Sequence, residues 1–151
     1  MLRVVKKLIT PLTLLLALTT ALPASAMGSG NPYEDAQVGL NYVVYQPNYT
    51  AVLTLKSFQL APCGVGHDES VYANYGSGKK YFSLTESSAK NICPMNMMLI
   101  RGATRTVLNK PAVGQLAGTQ LVVISVGIPR SQINSIFAHL KPLYKAPVTK
   151  K

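Results

Sequence analysis

With 151 residues, 15 Lys and Arg against five Asp and Glu, and 48% apolar residues, the chain is basic and long enough for one hydrophobic core but not for two domains. Its five carboxylates and two histidines are a thin supply for acid–base catalysis and for metal ligation. Tyrosine is the exception, with eight residues and no tryptophan.

The chain opens like a secretory signal: Arg3, Lys6 and Lys7, an apolar run from Leu8 to Leu22, then the small residues Ala24-Ser25-Ala26. The run is shorter than the ~18 to 20 apolar residues a membrane span requires, so cleavage after Ala26 is expected over a retained anchor. Residues 1–26 are therefore read as a signal peptide, and no stable membrane anchor is expected after cleavage. The remainder carries twelve basic and five acidic residues, net +7. A basic exported protein attracts anionic envelope polymers, although dispersed lysines also serve solubility alone. Nucleic acid is not an expected partner, because the basic residues are not interleaved with aromatics.

Residues 27–32, Met-Gly-Ser-Gly-Asn-Pro, read as a flexible leader, and a single secreted domain is expected over 33–143. Val38, Leu40, Tyr42 and Val44 alternate with other residues, predicting a first strand that ends near Pro47. Leu53 and Leu55 are out of phase with Phe58 and Leu60, so a second strand should carry a bulge near Lys56 or Ser57. Val71, Ala73 and Tyr75, then Tyr81 to Leu84, flank Gly76-Ser77-Gly78 and predict a hairpin. The Gly78-Lys79 pair lacks P-loop spacing, since Ala73 stands five residues before Gly78 and Lys80 replaces the Ser or Thr. Asn91 to Met98 reads as a loop, followed by a strand that starts apolar at Met97 to Ile100 and turns polar through Arg101, Thr104, Arg105 and Thr106.

The strongest local signal lies between Thr119 and Leu140. Leu121, Val122, Val123, Ile124 and Val126 predict a strand covered on both faces. Beyond Gly127, Ile133, Ile136, Phe137 and Leu140 recur at helical spacing and predict a helix ending near Lys141, ahead of Pro142. An N-cap at Pro129 lets Ile128 staple onto Ile133; a start at Ser131 caps better without the staple. The predicted fold class is α+β, a mainly antiparallel β-sheet with one C-terminal amphipathic helix packed on it. A disordered basic tail is expected over 144–151.

The two cysteines, Cys63 and Cys93, are expected to form a disulfide in an exported chain. The charged triplet His67, Asp68 and Glu69 follows Cys63 in a glycine-rich loop. Three consecutive residues do not readily converge on one ion, so a contact loop is expected there and neither a metal nor a cofactor is assigned. No serine sits in a nucleophile-elbow context, so no catalytic residue is assigned either. Tyr72 and Tyr81, on opposite sides of the hairpin turn, are candidate contact residues for glycan or peptide on an amphipathic sheet face; β propensity alone also accounts for tyrosines in strands.

The Leu121 to Leu140 segment, a β-rich run, then Gly-Ile, then a helix with Ile133, Ile136 and Leu140, resembles the C-terminal strand and helix of uncharacterised extracytoplasmic domains in Gram-positive secreted and anti-sigma-type proteins. The Tyr42-Val43-Val44-Tyr45-Gln46-Pro47 stretch is similar to their early Tyr-x-Pro segment. This resemblance implies a curved antiparallel sheet with a helix on one face, and it carries no catalytic residues. The reading as a whole is an exported, non-enzymatic cell-envelope or secreted binding module whose partner is an anionic envelope polymer, a glycan or another secreted protein. The alternatives are a secreted inhibitor or toxin-like effector, and a small hydrolase.

Overall fold

The computed structural model describes residues 29–102 and 105–144. The signal-like segment and residues 145–151 of the expected tail lie outside the described residues. The fold is α+β: helix α1 (Pro32–Gly39), strands β1 (Tyr45–Pro47), β2 (Thr54–Ala61), β3 (Ser70–Ser77) and β4 (Lys80–Ser88), helix α2 (Pro94–Ile100), strands β5 (Arg105–Lys110) and β6 (Thr119–Val126), helix α3 (Arg130–Ala138) and strand β7 (Leu140–Pro142). A five-stranded antiparallel sheet runs in the order β2-β3-β4-β6-β5, and β1 pairs with β7 in a separate ribbon.

The hairpin and the bulge form as the side-chain phase predicts. Ser77 faces Lys80 across the turn, where Gly78 takes a positive φ of 59° that side chains with a Cβ disfavour. The β2–β3 register shifts between Leu55 and Ser57, which puts Phe58 back on the core face after Leu55. Phe58 there meets Tyr33 edge-on, with ring centroids 4.7 Å apart. Strand β6 is covered on both faces. Its Leu121 and Val123 join the core beneath α1 and α3, while α2 packs over β5 and β6 on the opposite face.

Helix α3 starts with Pro129 as N-cap, the arrangement that stations Ile128 beside the core with Ile133, Ile136 and Phe137. It stops earlier than its spacing predicts. The His139 N–H bonds to the Ser135 and Ile136 carbonyls, and Leu140 leaves as the first residue of β7, opposite Pro47. Leu140 is thus buried from a strand, not from the helix. Tyr144, assigned by sequence to the tail, packs against the core cluster.

Two further helices correct the expectation of a single one. Residues 32–39 form α1 where a leader and a strand were expected. Asn31 accepts the Tyr33 N–H at 3.1 Å, Pro32 occupies the first turn, and Glu34 and Asp35 place negative charge at the helix start. Val38, expected to face a core from a strand, is 90% exposed on this helix. Residues 94–100 form α2 where a loop and a strand start were expected; Pro94 is preset for its first turn, and its N-cap is Cys93.

From beyond α1 into the first residue of β1, residues 42–45 run extended through the interior, all four buried. Interior backbone must find partners. The Gln37 amide donates to the Tyr42 carbonyl at 2.9 Å and accepts the Val44 N–H at 2.7 Å. The Thr119 hydroxyl donates to the Val43 carbonyl, the Leu143 N–H to the Val44 carbonyl, and the Glu86 carboxyl accepts the Tyr45 N–H. Side chains from α1, β4 and β6 here satisfy the backbone groups left over by the backbone bonds to Ala117 and Leu143.

Candidate functional site

Alternation along β3 and β4 sends Val71, Ala73, Tyr75, Phe82, Leu84 and Glu86 to the core face. The same alternation sends Tyr72, Asn74, Tyr81, Ser83 and Thr85 to the other. That outer face is only partly roofed by α2. The Asn96 amide pins the helix to β4 by donating to Ser87 Oγ at 2.7 Å, and Met95 and Leu99 then form a wall along an open groove of about 410 Å³. Tyr72 and Tyr81 line it together with Asn74 and Ser83.

The groove is held from two sides. The Cys63–Cys93 disulfide, with Cα atoms 5.3 Å apart, ties the end of β2 to the start of α2. On the floor, Asn74 donates to Ser57 Oγ at 2.8 Å and accepts from the Ser83 hydroxyl, which fixes the orientation of its amide. Burial raises the Tyr72 phenol above its ordinary value, so it is a protonated donor at neutral pH. Tyr81 is 45% and Met95 55% exposed, leaving an aromatic edge and a flexible thioether open to solvent. No lining residue of this groove is charged.

Tyr72 and Tyr81 share this face but are not opposite one another: Tyr72 faces Thr85, and Tyr81 faces Gly76. The His67-Asp68-Glu69 segment lies elsewhere. His67 Nδ1 donates to the Asn91 carbonyl at 3.3 Å, Asp68 accepts from the Asn41 amide at 3.0 Å, and Glu69 is exposed. The three side chains therefore point to different neighbours. Among the described residues no group of three or more His, Cys, Asp and Glu side chains gathers as metal ligands would. His139 turns Nδ1 to the Ser135 carbonyl of its own helix at 2.7 Å.

Glu86 is a carboxyl group without solvent contact. It is fully buried on the core face of β4, and burial holds its pKa well above the usual carboxylate range, against the opposing hydrogen bond from the Tyr45 N–H. Nearby, the Tyr33 and Tyr75 phenols share a 2.7 Å hydrogen bond, and the Tyr42 hydroxyl lies within hydrogen-bond distance of the Glu69 and Glu86 carbonyls. Burial and the Glu86 carboxyl both raise the phenols of Tyr33 and Tyr42. This cluster is enclosed by the core and completes the support of residues 42–45.

Sequence reasoning found the two tyrosines but missed Asn74, Ser83, Met95, Leu99 and Ile124. The signal for Asn74 and Ser83 was their phase with Tyr72 and Tyr81 across the hairpin. For Met95 and Leu99 it was spacing of four on a helix opened by Pro94. No protein-family model matches the chain, and neither a curated protein nor a solved structure is significantly similar to it.

Proposed function

We propose that this protein is an exported, non-enzymatic binding module of the cell envelope or secreted space, and that the groove between α2 and the outer face of β3 and β4 is its ligand-binding face. The observation that carries this reading is the groove itself, a concave, uncharged surface with two partly exposed tyrosines and a preoriented amide. Pockets that combine apolar walls with a few fixed polar groups are the usual form of a binding site. The signal-like residues 1–26, the net positive charge and the disulfide support an exported location. Among the described residues no helix is long and apolar enough to cross a membrane. Among the described residues the side-chain hydrogen bonds of His67 and His139 run to the backbone carbonyls of Asn91 and Ser135 and not to a serine, a cysteine or a carboxylate, which favours a binding role over hydrolysis.

A second reading, a secreted inhibitor, is favoured by one feature: the loop from Pro62 to Glu69 is braced at Cys63 and carries a fully exposed Val65 at its tip. Capture from envelope extract separates the two. Replacing Tyr72 and Tyr81 by Ser removes capture if the groove binds, whereas changing His67, Asp68 and Glu69 to Ala leaves it intact. The opposite pattern assigns function to the loop.

A further inference from the structure

The groove's chemistry narrows its ligand. Across the strands the outer face repeats in rungs: Gln59, Tyr72, Thr85, Val122 and Val107; then Ser57, Asn74, Ser83, Ile124 and Arg105; then Thr54, Gly76, Tyr81 and Val126. The two tyrosines therefore stand two rungs apart, about 13 Å along the strands at roughly 3.3 Å per residue. The Asn74–Ser83 pair lies at the midpoint. One N–H of Asn74 is committed to Ser57 and the other remains free for a ligand.

The backbone of the β3 and β4 floor is already paired. β3 and β4 are interior strands, laddered on both sides, so a peptide laid across them finds no free N–H or carbonyl to match its own main chain. A sugar chain needs only what is present. Phenol rings accept the apolar C–H faces of pyranoses, and amides and hydroxyls meet sugar hydroxyls. Charge gives a second argument. In a chain of net +10 no lining residue is charged, and the basic side chains of the same sheet face stand at the borders of the groove, Lys56 beside Gly76 at one end and Arg105 opposite Ile124 on the edge strand β5. We propose that the groove binds a short, uncharged oligosaccharide, with Tyr72 and Tyr81 as stacking platforms and Asn74 and Ser83 as the hydroxyl-recognising pair between them. This rests on the groove being the binding face.

The test is titration of the secreted protein, by calorimetry and amide and ring chemical shifts, with five probes: neutral tetrasaccharides of glucose, mannose and N-acetylglucosamine, an acidic tetrasaccharide of galacturonate, and an uncharged Ser-rich peptide. Binding of at least one neutral sugar is expected, shifting Asn74, Ser83 and both tyrosines, with affinity insensitive to salt. Tyr72→Ala and Tyr81→Ala should each weaken it about tenfold. If either variant melts early, the shift map of the unmodified protein decides alone. Shifts in the groove from the peptide or the acidic sugar only would overturn the oligosaccharide and leave the binding face standing. If none of the five probes, nor envelope extract, shifts the groove, both fall.

Discussion

The carboxyl group of Glu86 accepts the backbone N–H of Tyr45 at 2.8 Å, with no solvent contact on the glutamate. The carboxyl group satisfies a backbone N–H on the side of the chain that β7 does not pair. Its other oxygen, Oε1, has no hydrogen-bond partner among the described residues.

That arrangement sets a pH dependence. The folded state raises the pKa of Glu86 well above its unfolded value of about 4.3, so it binds a proton more tightly than the unfolded chain does. The stability it contributes is fully present below the unfolded pKa and is lost as pH rises through the folded one. Urea midpoints should therefore fall on going upward through that window, and Glu86→Gln, which keeps an acceptor for Tyr45, should flatten the profile and stabilise the protein near neutrality. Glu86→Ala should cost about 1–3 kcal/mol from the orphaned N–H, beyond the cavity it leaves. A wild-type midpoint that climbs through the same window relative to Glu86→Gln contradicts this assignment.

The Cys63–Cys93 bridge should have a local and a global effect. It closes a sequence separation of 30 residues, which on the chain-entropy model constrains the unfolded state by about 3.5 to 4 kcal/mol. Mass spectrometry without reductant should show both thiols oxidised in the secreted protein. The Cys63→Ser/Cys93→Ser pair should lose most of that stability and speed amide exchange first in α2, whose roofing of the outer face depends on Asn96 and the bridge.

Helix α3 should behave as core. Ile136 is fully buried and Phe137 nearly so, and truncating either to Ala should cost about 2–5 kcal/mol in chemical denaturation. A loss below about 1 kcal/mol would place the helix at the periphery.

The elements with clear side-chain phase were legible in the sequence. The hairpin, the slip near Lys56 and the β6–α3 unit all follow from where apolar residues recur. Helix α1 was hidden because Val38, Leu40, Tyr42 and Val44 keep a period of two by coincidence across a helix end and a buried crossing segment; Asn31-Pro32 with Glu34 and Asp35 was the stronger signal. Helix α2 was hidden because its exposed methionines show no amphipathic contrast. The groove needs α2 as a wall, so only its tyrosine half was visible, and the charged triplet drew attention to a loop whose side chains diverge. Glu86 carries no local signature, because its burial arises from residues 42–45 crossing above it.

The binding face is open to direct mapping. Spectra of the labelled secreted protein, with and without the material it captures from envelope extract, should show changes at Tyr72, Asn74, Tyr81, Ser83, Met95 and Ile124, and little at Gly64 to Glu69. Changes confined to the 64–69 loop, with the groove unperturbed, would contradict the proposed site.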